Sequence, residues 1–274
     1  MVNLDIPGYK EQLFVADLIA ENLDRVKKSV LLKGWDYVAI VSGIPGVGKS
    51  TFAQSVAKYL DPNFESWQIC FTAKEFREKT SVGKKGQAFI LDESFADMNS
   101  TLSKDPEFIA TMNHLQLLRQ KNLFIFLILP DFFSLNKTIA VFRASHLFVP
   151  YANEYNRGTV AVFGRDTKRT LYFKGKQFCD YHAAEPNFRT VFQGHWFCDF
   201  ADYENRKNEH LLSQTIVKEK DMRSRIQRDK IAGAYVLDLK ATARALSERV
   251  KENERTVEEW VNKGKERLNR LSNP

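Results

Sequence analysis

Cysteine is scarce in this 274-residue chain, and long apolar runs are missing. The three cysteines, Cys70, Cys179 and Cys198, are an odd number with no paired spacing. They fit a reducing compartment better than a disulfide framework, and they make no zinc pattern. His182, His195 and Cys198 invite a metal reading, but three candidates at irregular spacing do not make a site. The longest apolar run, Leu123–Leu129, is strand-sized and well short of the ~20 residues of a membrane span. The first ten residues lack the basic start and apolar core of a secretory signal, so a cytoplasmic protein with no membrane partner is expected. There is no internal repeat and no low-complexity segment. With 43% apolar and 27% charged residues, a disordered chain is excluded. The length suits one large domain with an appendage, or two small domains.

The net charge of +7 is unevenly placed. Residues 1–150 hold 17 basic and 16 acidic side chains, and residues 151–203 hold 7 and 6. Residues 204–274 hold 17 and 12, so the excess sits in the tail. A basic tail on a near-neutral body points to a polyanion, most often nucleic acid; a solvated helix is the plain alternative.

Residues 9–33 place Leu13, Leu18, Ile19, Leu23 and Val26 at helical spacing and predict an amphipathic helix. Residues 37–42 form a continuous apolar run, as in a strand buried on both faces of a parallel sheet. A glycine-rich turn and a helix from Lys49 to Leu60 follow, stopped by Asp61-Pro62-Asn63. Trp67–Thr72, Ala88–Asp92, Leu123–Leu129 and His146–Val149 read as further strands, with helices over Ala73–Thr80 and 106–120 between them. This alternation predicts an α/β fold with a mainly parallel sheet. After Pro150 the pattern changes. Gly158–Phe163 and Arg169–Lys174, separated by Gly164 and four polar residues, predict a β-hairpin. The resulting division is an α/β domain over 1–150, a β-hairpin and aromatic extension over 151–202, and a helical basic tail over 203–274. The aromatic stretch Phe188–Phe200 reads as core packing, with base stacking as its rival.

Gly43-Ile44-Pro45-Gly46-Val47-Gly48-Lys49-Ser50 matches G-x-x-x-x-G-K-[ST] in full, between a buried strand and a helix, and Thr51 follows it. The spacing serves a definite chemistry. Glycines let backbone N–H groups wrap phosphates at a helix N-terminus. Lys49 is expected to reach the β- and γ-phosphates and Ser50 to ligate Mg²⁺. The strand predicted over Ala88–Asp92 ends in the acidic pair Asp92-Glu93. Asp92 is the expected partner of Mg²⁺, and Glu93 the expected base for an attacking water. The cofactors implied are ATP and Mg²⁺.

Residues 36–150 resemble a RecA-like P-loop ATPase of the group that contains the FtsK and HerA DNA motors and small viral genome-packaging ATPases. The residues that carry the likeness are the phosphate loop, Leu91-Asp92-Glu93-Ser94, a helix ending at Arg119, the apolar strand after it, and a segment leading to Arg143. The resemblance implies a homo-oligomer, with a hexamer among the forms, in which Arg119 points toward a nucleotide, sometimes in a neighbouring subunit. Arg143 is a second arginine candidate. Where the family carries a polar sensor this chain reads Leu129-Pro130-Asp131-Phe132, so Asp131 or Asn136 would have to substitute.

Residues 243–267 pattern as two short helices across a tight turn, similar to a helix-turn-helix, with Thr256 opening the second. Arg255, Asn262, Lys263, Lys265 and Arg267 would then meet DNA, although Glu258 and Glu259 share that helix. A helical hairpin for protein contact is the alternative. Together these features predict an ATPase in the cytoplasm, or in a virion if viral, that couples hydrolysis to DNA translocation, packaging, partition or loading. A P-loop kinase of a nucleotide or small molecule and an ATP-gated DNA-binding regulator are the rivals.

Overall fold

The structure is a computed structural model, and it describes residues 2–4, 13–92, 106–153, 156–193, 200–210, 212, 222, 225–226, 228–229, 243–250 and 253–272. The chain forms two compact units, Met1–Lys207 and Asn208–Pro274.

The first unit is built on a seven-stranded sheet. Two short strands, β1 (Val2–Leu4) and β2 (Leu13–Val15), pair apart from it. Helix α1 (Asp17–Lys33) then leads to β3 (Tyr37–Ser42), and α2 (Lys49–Leu60) follows the phosphate loop. After these come β4 (Ile69–Cys70), α3 (Ala73–Val82), β5 (Ala88–Leu91), α4 (Pro106–Leu117) and β6 (Phe124–Leu129). A π-helical turn (Thr138–Arg143) precedes β7 (His146–Asn153), β8 (Asn156–Phe163), α5 (Arg165–Gly175) and β9 (Phe188–Val191). The strand order is β4-β5-β6-β3-β7-β8-β9, parallel from β4 to β7 and antiparallel beyond.

The apolar strand runs follow from helices on both faces. Along β3, Tyr37, Ala39 and Val41 pack with Ile19, Leu23, Phe52 and Val56 of α1 and α2. Val38 and Ile40 face the opposite core, with Phe76, Leu115, Phe132 and Leu171. Strand β6 repeats the period of two, sending Phe124, Phe126 and Ile128 to the first core and Ile125, Leu127 and Leu129 to the second. All loops that leave the C-terminal ends of β3, β5 and β6 therefore gather at one edge of the sheet.

Three expectations are corrected here. The hairpin is formed by β7 and β8, with Leu147 opposite Phe163, and Arg169–Lys174 is helical. Lys168, Leu171, Tyr172 and Gly175 are its buried residues, a spacing of three and four that fits a helix and not a strand. The sheet also continues through β8 and β9, so it does not stop at residue 150. The amphipathic helix begins at Asp17 and not near residue 9, because Leu13 lies in the strand β2.

The helix over 200–210 is α6. In the second unit, α7 (Ala243–Val250) and α8 (Glu254–Ser272) are separated by residues 251–253. Val257, Val261 and Gly264 make the buried stripe of α8. The start of α8 corrects a further expectation. Asn253, not Thr256, opens the helix: its Oδ1 accepts the Arg255 N–H at 3.0 Å and its carbonyl accepts Val257 N–H at 3.1 Å.

Candidate nucleotide site

The phosphate loop lies at the C-terminal end of β3. Its shape depends on backbone angles that side chains disfavour, with φ of +151° at Gly43 and +91° at Gly48. A Cβ at Gly43 would also stand 2.9 Å from the Pro150 carbonyl oxygen. Val47 is buried and pins the loop, whereas Ile44, Pro45 and Gly46 are exposed. Lys49 and Ser50 are therefore delivered on the first turn of α2, where helix N–H groups and dipole favour an anion.

Lys49 Nζ donates to the carbonyls of Gly43 at 2.7 Å and Ile44 at 2.9 Å, so the ammonium lies over the loop it would serve. Ser50 Oγ donates to Asp92 Oδ2 at 2.9 Å. Thr51 Oγ1 donates to the Gly48 carbonyl at 2.9 Å and fastens the turn. Asp92 directly follows β5, is 1% exposed, and is held by its own N–H to the Cys70 carbonyl at 2.8 Å. The structure thus brings together the loop, Lys49, Ser50 and Asp92, although β6 separates β3 from β5. A hydroxyl and a carboxylate on one point are hard oxygen donors, which fits Mg²⁺. Among the described residues there is no group of three His, Cys, Asp or Glu that would hold a softer metal. Glu93 lies outside the described residues.

The arginines fall elsewhere. Arg143 is engaged with the Asp36 carboxylate and donates to the Leu115 carbonyl through Nε at 3.0 Å. Asp36 precedes β3, at the opposite edge of the sheet from the loop. Six residues of strand separate the two edges, roughly 20 Å at about 3.3 Å per residue. Arg143 is a structural tie there and does not reach this chain's loop. Arg119 occupies the short turn Leu118–Lys121 that precedes β6, at that same far edge, and is exposed.

The two sensor substitutes are used in turns. Asp131 accepts Phe133 N–H and Ser134 N–H at 3.0 Å each, one on each carboxylate oxygen. Asn136 Oδ1 accepts Thr138 N–H at 2.9 Å.

Two tyrosines that local patterns do not reveal complete the site. Tyr181 hydroxyl meets Ser42 Oγ at 2.9 Å and accepts Phe132 N–H at 3.0 Å. It joins the end of β3 to the turn after β6, and burial raises its pKa. Tyr203, on α6, donates its hydroxyl to Asp92 Oδ2 at 2.5 Å. Phe192 follows β9 and sits beside the loop, its ring 4.9 Å from that of Phe52.

In the second unit, Arg225, Arg228, Asp229, Trp260 and Lys263 line an open groove. The Arg228 guanidinium lies 5.4 Å from the Trp260 ring centre. Arg255, Asn262 and Lys263 are exposed and Lys265 is half-buried; the Arg267 side chain lies outside the described residues.

No protein-family model matches the chain, and no curated protein matches it. Solved structures similar to it include the N-terminal domain of zonular occludens toxin from Neisseria meningitidis, at TM-score 0.39 and 16% identity, covering 59% of this chain and 95% of that one. Another is the genome packaging NTPase B204 from Sulfolobus turreted icosahedral virus 2 in complex with AMPPCP, at TM-score 0.38 and 9% identity, covering 59% and 98%. A third is the FIGL-1 AAA domain in complex with ADP, at TM-score 0.34 and 12% identity, covering 57% and 70%. The α/β architecture with its phosphate loop is that of a P-loop NTPase, and it stands on this chain's own strands and residues.

Proposed function

We propose that the protein is an ATPase that hydrolyses ATP with Mg²⁺ at the Gly43–Thr51 loop to drive or gate DNA handling. The observation that carries the reading is the Ser50–Asp92 hydrogen bond at 2.9 Å, made at the mouth of a complete phosphate loop. Lys49 lies over the loop, donating to the Gly43 and Ile44 carbonyls, and phosphate oxygens would offer it charge-assisted partners. Ser50 and Asp92 would hold Mg²⁺. When bound, that ion neutralises charge on the phosphoryl oxygens. Glu93, one residue beyond Asp92, would accept the proton of the water that attacks the γ-phosphorus, giving ADP and phosphate.

Arg119, exposed at the far edge of the sheet, serves catalysis only across a subunit boundary. The proposal therefore includes a homo-oligomer, with a hexamer as one form. DNA is assigned to the second unit, where Arg225, Arg228 and Lys263 converge on the Trp260 groove. No helix among the described residues is long and apolar enough to cross a membrane.

The test is ATP turnover by the full chain with and without duplex DNA, with Lys49→Ala beside it. Hydrolysis stimulated by DNA and lost in Lys49→Ala is expected. Transfer of phosphate to an acceptor would make the protein a kinase, and nucleotide binding without turnover would make it a switch.

A further inference from the structure

Asp92 is a buried carboxylate, and a buried carboxylate needs donors. Its Oδ2 takes two hydroxyl donors, Ser50 at 2.9 Å and Tyr203 at 2.5 Å. The two come from different elements. Ser50 is the hydroxyl that a phosphate-bound Mg²⁺ would recruit through an oxygen lone pair, so it would serve the metal and Asp92 together. Tyr203 comes from α6, outside the phosphate loop.

The surroundings of Tyr203 fix its phenol. It is 4% exposed, and its ring packs 5.4 Å from that of Phe71 at a tilt of 55°. One turn along α6, Arg206 donates to the Ser66 carbonyl at 2.9 Å, to the Ile69 carbonyl at 2.8 Å and to Glu75 Oε1 at 2.9 Å. The Arg206 guanidinium also lies 5.2 Å from the centre of the Phe71 ring. Phe71 directly follows β4, and Cys70 in β4 binds the Asp92 backbone. The donor and its acceptor are thus anchored to the same pair of strands, β4 and β5.

We infer that Tyr203 is a positioning residue for Asp92, holding the carboxylate in place when Ser50 engages the metal. This rests on the reading of the loop as a Mg²⁺–nucleotide site. Groups that orient metal-binding carboxylates typically change metal affinity by about 10–100-fold when removed. A neutral donor to a carboxylate is a charge-assisted bond, about twice as strong as one between neutral groups. Tyr203→Phe removes the hydroxyl that donates to Asp92 and keeps the ring against Phe71.

The experiment measures ATPγS binding to the full chain by calorimetry, first in EDTA and then across a Mg²⁺ titration. Tyr203→Phe should bind ATPγS in EDTA within about twofold of the unsubstituted protein, yet need about tenfold more Mg²⁺ for half of the metal-dependent gain. Arg206→Ala keeps the phenol but releases the helix, and should shift the Mg²⁺ midpoint in the same direction by less. A purely structural role would lower the thermal midpoint and leave the Mg²⁺ midpoint where it was. An unshifted Mg²⁺ midpoint in the folded variants overturns the inference alone. If the unsubstituted protein binds ATPγS identically with and without Mg²⁺, the reading of the loop itself falls, and the inference with it.

Discussion

Asp92 and Glu93 are adjacent, but their proposed tasks separate on substitution. Asp92 contributes an oxygen that already meets the Ser50 hydroxyl, so Asp92→Asn should weaken the response to Mg²⁺. Glu93→Gln keeps shape and hydrogen bonding and removes only the proton acceptor. It should retain ATP and lose turnover by about 10²-fold or more. Steady-state hydrolysis and equilibrium nucleotide binding on both variants check this. If Glu93→Gln turns over normally, the base is elsewhere, with Asp97, four residues further along the sequence, or Asp131 as the next candidate. Asp131 is the weaker alternative because both its oxygens hold the turn after β6. The local half of the site was legible because it is local: eight consecutive residues and one strand end carry the loop, Lys49, Ser50 and Asp92. Tyr181 and Tyr203 reach the site from 139 and 111 residues away, and such contacts leave no periodic trace.

At the scale of elements, buried parallel strands announced themselves as apolar runs, and β3 and α2 fall where the sequence puts them. Helix α5 did not, because its β-prone Thr170, Leu171, Tyr172 and Phe173 mask a helical burial pattern. Part of that pattern is a lysine. Lys168 is fully buried, and its ammonium donates to the Ala140 carbonyl and, at 3.3 Å, to that of Val141. Those carbonyls belong to the π-helical turn, so the lysine ties α5 to it. Burial pushes the Lys168 pKa down from 10.5 to about 8, and nearby Arg165 adds to the effect. The sign follows from linkage. Between about 8 and 10.5 the unfolded chain keeps a proton that the native chain has released, so stability rises with pH across that window. Below it both states are protonated and the native state carries the cost of a buried charge. Chemical denaturation from pH 7.5 to 10, set against Lys168→Met, should show the unsubstituted protein gaining on the variant as pH rises, by on the order of 3 kcal/mol over the full window. A constant difference would mean that Lys168 titrates alike in both states.

The whole molecule divides its labour between a near-neutral nucleotide-binding unit and a basic one, and the charge count alone does not say which face is basic. In α8 the residues away from the buried stripe of Val257, Val261 and Gly264 are mixed: Arg255 and Asn262 share the exposed surface with Glu258, Glu259 and Glu266. Such a face repels phosphate as much as it attracts it. The flank of Trp260 and Lys263, three residues apart, joins Arg225 and Arg228 instead. Each of those cations that neutralises a phosphate releases a counterion, and the log–log salt slope changes by about 0.9 per contact on duplex DNA. Arg228→Ala and Lys263→Ala in the full chain should each lower DNA affinity several-fold at low salt and flatten the slope by about one unit. Arg255→Ala should do so far less, and ATP binding should be unaffected by all three, since the loop and Asp92 lie in the other unit. Affinities measured at several salt concentrations give the slopes directly. If Arg255→Ala flattens the slope while Arg228→Ala and Lys263→Ala leave it unchanged, the outer face of α8 meets the DNA as a recognition helix would, and the Trp260 groove is a packing feature of the helical unit.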